Sequence, residues 1–500
     1  MIDYLKKRPM LLCAFGSAAI CIAGFYSGFA VYAAGFVLIA VFFMAVYFNI
    51  KPEFIFIVFM LFLTAVSVLL TIRKANEIAA KGGIDVNESF IVVSEPENHG
   101  TYSSVTLQAV DSGSLPKGTN IYTFFSGSLP EYGDVVKAEI ELIPVKEEYR
   151  QYDYSNGIYL SGSAEELSVC DGGDFVLKAV GKMRKYIKNV FFSVLGRREA
   201  GTLAALTIGD RSYFSEEFSN NVRYSGTSHI MVVSGMHLAI ITGCVSKLCE
   251  ILFYNRYFKA LIVFATVLFM AALCGFTMSI LRAGVTYLLY AAAILLKRDN
   301  TPENTLGGAV TLILLFQPFA VFNISFQLSV LSTLGITAAA LPVTEYIKKN
   351  VKSVILKSFL SSSVISLSAL IFTMPTVIST FGYISCVSAA ASLLVSPAVT
   401  LALSFAAAGI LLSLISGPLS VLLLYPAGTF AAYINKVITA LGSLPYAAVD
   451  TGRFAAAVSI ITLILIIIGL FACKKRADML KLKNIKEKII KEGGGKLKWL

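Results

Sequence analysis

The chain has 500 residues, of which 56% are apolar and 15% charged, and its mean hydropathy is +0.74. Soluble domains carry about 25% charged residues, so this composition excludes an ordinary soluble enzyme and predicts a polytopic α-helical membrane protein. The eight cysteines are scattered along the chain, mostly within apolar runs, which is typical of buried thiols and not of a disulfide framework.

The N-terminal region, residues 1–73, is predicted to form three membrane spans. A run of about 20 apolar residues can cross a hydrocarbon core of roughly 30 Å as a helix. Such runs lie near residues 10–27, 31–49 and 54–72. The apolar stretch is too long for the core of a signal peptide and has no small-residue cleavage pattern, so we expect it to stay in the membrane.

A polar insert at residues 74–176 follows, and in it apolar and polar residues alternate as they do in half-buried strands. Strand-like runs separated by turn signals lie at residues 90–93, 102–110, 120–124, 134–143 and 167–169. Five short strands predict a small β-barrel. Residues 77–175 hold 17 acidic and 5 basic side chains, a formal charge of −12, so the insert is strongly acidic.

A basic amphipathic helix is predicted next, at residues 177–194. Its apolar face holds Leu177, Val180, Met183, Ile187, Val190 and Val194, and its polar face holds Lys178, Lys182, Arg184, Lys185 and Lys188. Helices of this kind bind at membrane surfaces, so we expect it to lie on the outer leaflet. Residues 177–228 are assigned to this helix and to the outer mouth of a channel.

Nine further spans are predicted, which makes about twelve and places both termini on one side of the membrane. They lie near residues 229–252, 258–274, 280–297, 305–322, 325–342, 354–375, 386–413, 417–440 and 454–473. The loops rich in Lys and Arg fall on the side of the termini, which the positive-inside rule identifies as the cytoplasm. The insert is therefore predicted to be extracytoplasmic. The tail at residues 474–500 holds 10 basic and 3 acidic residues and is expected to bind anionic lipid.

Two motifs stand at the fourth predicted span: Gly209-Asp210-Arg211-Ser212, and the run YSGTSHIMVVSGMHLAI from Tyr224 to Ile240. Together with polar positions in the later spans, such as Arg282, Gln327 and Pro375, they resemble the ComEC-type competence family of DNA-uptake channels. The resemblance extends over most of the chain. It implies that the β-barrel insert is OB-like and that residues 229–473 form a competence-type channel domain that passes single-stranded DNA inward.

The resemblance also implies partners, namely an external DNA receptor and a cytosolic ATPase or helicase. No Gly-x-x-x-x-Gly-Lys-Ser/Thr stretch occurs, so we expect the chain to be a conduit and not a motor. Many relatives end in a metallo-β-lactamase-like domain with a His-x-His-x-Asp-His metal cluster. The histidines here are His99, His229 and His237. We therefore expect a short form without that domain, not itself an enzyme, and a separate nuclease if one strand is degraded.

The acidic insert departs from a nucleic-acid-binding pattern. A groove that follows a nucleic-acid backbone is usually basic, with aromatic side chains on which bases stack. Long-range attraction of DNA to a module with a formal charge of −12 is disfavoured. Tyr122, Phe124 and Phe125 could stack on bases or could fill the barrel core.

His229 and His237 could bind a metal, catalyse a reaction or line a polar path. On a straight helix they lie about 12 Å apart along the axis. One metal cannot reach both and no third ligand is near, so we expect no metal and no cofactor. Ser234 and His237 are three residues apart and could form a nucleophile–base pair. They lack an orienting acid and a Gly-x-Ser-x-Gly elbow, so we assign no catalytic residue.

A polar path through a membrane needs polar side chains and interrupted helices. The predicted path residues are His229, Ser234, Gly235, His237, Arg282, Gln327 and Pro375, and Gly209, Asp210 and Arg211 are assigned to the outer mouth. A purely structural role stays open, because small and polar residues also join membrane helices to one another. Arg282 could bind phosphate or extend to the interface, and Arg211 could steer DNA or pair with Asp210.

The sequence thus predicts a multi-pass protein of the bacterial plasma membrane that imports single-stranded DNA during natural transformation. One alternative is a transporter of another anionic solute or polymer. A second alternative, from another functional class, is a membrane-embedded hydrolase that uses Ser234 and His237.

Overall fold

The computed structural model describes residues 8–452 except 48–51, 99–100, 111–112, 171–173, 253–254 and 297–300, together with residues 457, 458 and 461. The predicted tail, nearly all of the last predicted span and His99 lie outside the described residues. The chain divides into two compact units. The first comprises Met1–Val330 and Ser385–Ala447, and the second comprises Leu331–Ile384 and Ala448–Leu500.

Three N-terminal helices occupy the three predicted spans. They are α1 (Pro9–Tyr26), α2 (Gly28–Tyr47) and α3 (Pro52–Ala79). Pro9 stands in the first turn of α1, where its missing N–H costs nothing. The third helix continues beyond the predicted end at residue 72 and leads directly into the β-domain.

A closed five-stranded barrel follows α3, so the small β-barrel predicted from the alternating pattern is confirmed. The strands of this region are β1 (Asp85–Val92), β2 (Glu97–Asn98), β3 (Ser103–Ala109), β4 (Asn120–Phe125), β5 (Val135–Pro144), β6 (Ile158–Ala164) and β7 (Ser168–Cys170). A short helix, α4 (Arg150–Ser155), lies between β5 and β6. Around the barrel the order is β1, β3, β4, β6, β5, and β5 pairs with β1 to close it. Only the contact of β4 with β6 is parallel. Five strands is also the number in an OB-fold.

One barrel strand was not predicted. The sequence pattern gave a strand at 167–169, which is β7 and pairs with β5 outside the closed ring, and it missed β6. That strand contains Ser161, Gly162 and Ser163, which have low strand propensity. Tertiary packing selects them, because a Cβ on Gly162 would overlap the Ile140 side chain inside the barrel. Of the aromatic residues considered above for base stacking, Phe125 lies in the barrel core and Phe124 is exposed.

The basic amphipathic helix α5 (Phe175–Val194) packs its apolar face on protein and not on lipid, and its predicted place at the outer leaflet stays a prediction. Its buried residues Val180, Ile187 and Phe191 belong to one apolar cluster with α6 (Arg197–Ile208), α16 (Ser388–Ser413) and α17 (Gly417–Gly442). Amphipathic periodicity shows only that one face is covered. The Asp174 carboxylate caps the helix by accepting hydrogen bonds from the N–H groups of Val176 and Leu177.

The other elements of the first unit are helical. They are α7 (Glu216–Tyr224), α8 (Ser228–Met231), α9 (Gly235–Leu252), α10 (Arg256–Leu273), α11 (Met278–Leu295), α12 (Pro302–Phe316), a 3₁₀ turn (Pro318–Phe322) and most of α13 (Ile324–Gly335). An added Cβ on Gly307 of α12 would overlap the backbone of Met10, so this glycine lets α1 and α12 pack closely.

The second unit contains a π-helical turn (Ile336–Ala340), α14 (Leu341–Asn350) and α15 (Val354–Phe381). Two short strands, β8 (Tyr383–Ser385) and β9 (Ala448–Asp450), pair with each other. Gly335 packs against Phe372 of α15, where an added Cβ would be too close to the ring.

Six helices in the described part of the chain are long and apolar enough to cross a membrane. They are Pro9–Tyr26, Pro52–Ala79, Ile324–Asn350, Leu356–Phe381, Ser388–Ser413 and Gly417–Gly442. Three shorter apolar helices are Val31–Val41, Phe258–Leu273 and Met278–Ala293. The chain is therefore a membrane protein, and the count of about twelve spans stays a prediction.

Candidate functional site

The fourth predicted span is interrupted at its start. The short helix α8 ends at Met231, residues 232–234 are non-helical, and α9 begins at Gly235. Val232 has extended backbone angles, which end the first segment. The break falls within the motif singled out in the sequence and places Ser234, Gly235 and His237 at the first turn of α9.

His237 caps the helix in which it stands. Its Nδ1 accepts a hydrogen bond from the backbone N–H of Ser234 at 2.9 Å, and Ser234 Oγ lies 2.8 Å from the same nitrogen. A backbone N–H can only donate, so Nδ1 carries no proton and the proton of the neutral ring is on Nε2. The side chain is 0% exposed, and Nε2 has no hydrogen-bond partner among the described residues.

The Ser–His pair proposed from the sequence is therefore in contact, but its geometry is that of a cap. In a catalytic pair an acid would orient the second ring nitrogen. Among the described residues no acid bonds His237 Nε2.

The two histidines flank the helix break. They are near enough to interact electrostatically. His229 is exposed although protein surrounds its ring closely. Within the described part of the chain no group of three or more His, Cys, Asp or Glu side chains could hold a metal ion.

Arg282 lies beside the break. It stands in the second turn of α11, is 7% exposed, and donates from Nε to Ser329 Oγ of α13 at 2.6 Å. A Cβ built on Gly235 would lie 3.1 Å from its Nη2. No carboxylate of the described residues forms an ion pair with it. A charge within a membrane span costs about 2.5–3.5 kcal/mol or more, so an uncompensated one usually serves a function.

The remaining two predicted path residues have local structural roles. Gln327 donates from Nε2 to the Val321 carbonyl at 2.8 Å and so holds the turn before α13. Pro375 lies inside α15 in the second unit, where it removes one helical hydrogen bond. The structure does not test whether either residue lines a path, so both assignments stay predictions.

The predicted outer mouth is a fixed turn. Gly209 ends α6 with φ of 77°, a left-handed conformation that favours glycine. Asp210 is 3% exposed and accepts hydrogen bonds from Ser212 N (3.0 Å), Ser212 Oγ (2.6 Å) and Lys188 Nζ (3.1 Å). Lys188, and not Arg211, is thus the partner of Asp210. The exposed Arg211 has Glu97 and Tyr152 as electrostatic neighbours.

A chain of charges connects this turn to the barrel, and the sequence pattern did not reveal it. Arg184 of α5, 5% exposed, donates to Glu95 Oε1 at 2.9 Å, to the Ile208 carbonyl at 3.1 Å and to the Leu273 carbonyl. Its guanidinium carbon lies 5.2 Å from the centre of the Tyr132 ring. Lys188 contacts both Glu95 and Asp210. In the sequence, Arg184 and Lys188 are two cations one turn apart on an amphipathic helix. That pattern is equally typical of a helix face exposed to solvent.

The network leads to a pH-dependent prediction for Asp210. Burial raises the pKa of this carboxyl, but the hydrogen bonds from Ser212 and the charge of Lys188 outweigh it, so the pKa lies below its usual value. A lowered pKa adds stability that is present above the unfolded value of about 3.9 and is lost as pH falls through the folded value. Asp210→Asn should therefore reduce the free energy of unfolding by about 1.5–3 kcal/mol at pH 7.

The measurement is urea unfolding in detergent at neutral and at acidic pH. The deficit of Asp210→Asn should shrink below about pH 4, whereas the exposed carboxylate change Asp85→Asn should cost less than about 0.5 kcal/mol at either pH. A deficit that stays constant with pH would show that the charge of Asp210 is not what stabilises the turn.

Comparisons with known proteins found a family model and several relatives that match parts of this chain. A family model described as "Competence protein" matches residues 206–476, more than half of the chain, and includes the helix break and Arg282. "ComE operon protein 3" of Bacillus subtilis is 25% identical over 336 residues, which are 67% of this chain and 42% of that protein. "Recombination protein 2" of Haemophilus influenzae is 20% identical over 244 residues, 46% and 30% of the two chains. The matched regions thus span less than half of either relative, and no solved structure matches.

Proposed function

Because this chain belongs to the competence protein family, we propose that it is a channel that imports single-stranded DNA across the cytoplasmic membrane during natural transformation. The printed name of one relative refers to the ComE operon and that of another to recombination, and the family model is described as "Competence protein". DNA taken up from outside is a substrate that suits both names. In this proposal the β-barrel lies outside the membrane and both termini lie in the cytoplasm.

The interrupted helix at residues 232–234 is the observation that carries the proposal. In a bilayer every backbone polar group needs a partner, so a broken helix is tolerated where it is buried in protein or lines a wet cavity. Here the break is accompanied by exposed His229, by buried His237 and by the buried cation Arg282. This combination supports a polar, water-accessible path that favours a negatively charged substrate.

The proposal includes other components of the process, which the family resemblance implies. With no nucleotide-phosphate loop in its 500 residues, the channel needs a cytosolic ATPase or helicase to pull the strand and an external receptor to deliver it. If one strand is degraded during uptake, a separate nuclease is a further proposed component. These partners are part of the proposal.

Reconstitution in liposomes tests the proposal against the transport of some other anion. Addition of oligonucleotides to the purified protein should produce a conductance or flux that falls steeply with salt, since phosphate contacts release counterions. A response to small anions alone, with none to single-stranded DNA of any length, would favour the alternative transporter.

The 2.8 Å contact of Ser234 Oγ with His237 Nδ1 favours a second candidate function, a hydrolase. Under the channel proposal, Ser234→Ala removes one neutral hydrogen bond and keeps the backbone N–H cap, so uptake of DNA should change less than about tenfold. A nucleophile cannot be replaced by alanine, so a hydrolase would lose all activity. The comparison is transformation frequency at equal protein level, and complete loss in Ser234→Ala would contradict the channel proposal.

A further inference from the structure

We propose that the first turn of α9 and the guanidinium of Arg282 form a binding site for one phosphodiester group of the strand in transit. This inference rests on the proposed function and assigns a ligand class to residues at the helix break. Its basis is that the groups assembled there are hydrogen-bond donors for which the described residues provide no anion.

Arg282 supplies the charge. A guanidinium has five N–H donors in a planar fork that matches the oxygens of a phosphate or carboxylate. One of these donors, Nε, already donates a hydrogen bond to Ser329 Oγ. A buried cation is normally paired, and among the described residues Arg282 has no carboxylate partner although it is 7% exposed. An external anion is the partner that this arrangement lacks.

The helix N-terminus supplies a second attraction. The 18-residue helix α9 begins at Gly235, and its first N–H groups and its dipole favour an anion at that end. Arg282 Nη2 lies 3.1 Å from where a Cβ of Gly235 would be. The absent side chain therefore lets the guanidinium approach the helix end, so that both groups can contact the same ligand.

His237 supplies a third donor and is the independent indication of a ligand. It stands in the first turn of α9, is 0% exposed, and its Nε2 is without a partner among the described residues. The bond from the Ser234 N–H to Nδ1 places the proton on Nε2. A buried N–H with nothing to bond is costly, so a bound acceptor would stabilise it.

A single phosphodiester site suits transport. The strand must bind well enough to enter and weakly enough to leave. One cation, together with the donors of the helix end and of the imidazole, contacts the phosphate backbone of the strand and not its bases. This agrees with import that does not depend on base sequence. A carboxylate at this position would repel the strand, and a second cation would hold it more strongly.

The test is binding by the purified full-length protein in detergent. The probes are fluorescent oligothymidylate of about 20 nucleotides, long enough to exceed one site, the same sequence with uncharged methylphosphonate linkages, and tripolyphosphate. Arg282→Gln should weaken binding of the charged strand about tenfold to a hundredfold, leave the uncharged strand unchanged, and reduce the salt slope by about 0.7, the value for one phosphate contact. Arg198→Gln removes an exposed positive charge and is the matched control.

Thermal unfolding separates a binding role from a structural one. Loss of an unpaired buried cation should leave the melting temperature of Arg282→Gln unchanged or higher, and the oligothymidylate should raise the melting temperature of the wild type and not of the variant. A lower melting temperature of the variant without ligand would overturn the proposal, since Arg282 would then be structural.

The same data distinguish this inference from the proposed function. If the charged strand binds wild type and Arg282→Gln equally, the site is wrong and DNA import stands. If tripolyphosphate binds in a manner that depends on Arg282 while oligothymidylate does not bind, the anion site stands, and DNA as its ligand and the proposed function are both overturned.

Discussion

Replacement of Arg184 by methionine is expected to lower the free energy of unfolding by about 3–5 kcal/mol, the cost of breaking a buried ion pair from one side. Arg184 bonds Glu95 and the carbonyl ends of two helices, and it stacks on Tyr132. Methionine fills part of the volume but leaves those carbonyls without their donor and leaves Glu95 with Lys188 as its remaining cationic partner. Urea unfolding in detergent measures the loss.

Two further variants interpret the result. Lys182→Met removes an exposed cation from the same helix and should cost less than about 0.5 kcal/mol. Arg184→Lys keeps the charge but not the planar fork and should fall between the two. An Arg184→Met protein as stable as the wild type would show that the charge chain does not hold the barrel and the mouth turn together.

Leucine at Gly235 should reduce DNA uptake about tenfold to a hundredfold while the protein still folds. A Cβ at this position would lie 3.1 Å from Arg282 Nη2 and 3.2 Å from Ala283 Cβ, so a larger side chain displaces the guanidinium from the helix end. The loss corresponds to a charge-assisted hydrogen bond of about 1.5–3 kcal/mol. Transformation frequency, at protein levels matched by immunoblot, is the measurement.

Gly243→Leu is the matched control, because Gly243 lies in the same helix and an added Cβ there meets nothing within 4 Å. It should transform as the wild type does. Normal uptake by a correctly folded Gly235→Leu protein would mean that the close approach of Arg282 to the helix end has no part in transport.

The sequence predicted features that depend on local pattern. Alternation in the acidic insert predicted the barrel, and apolar runs predicted where the long apolar helices lie, such as α1, α2, α16 and α17, but not the shorter helices α6, α7 and α14. It failed where tertiary packing decides. The strand β6 is built from small residues because the barrel interior has room only for a glycine at position 162, a fact that no local window contains.

The candidate site was found in sequence but its geometry was not. Ser234, Gly235, His237 and Arg282 were singled out because polar groups in apolar helices are costly. That Arg282 lies against Gly235 depends on how α9 and α11 pack. Asp210 pairs with Lys188 and not with Arg211, and this pairing likewise depends on a contact between residues 22 positions apart in the sequence.

The most direct test of a DNA-import channel is to delete the corresponding gene in a transformable host and to follow labelled DNA. The account predicts normal binding of label at the cell surface and loss of label from the cytosol. Normal cytosolic label in the deletion strain would contradict it.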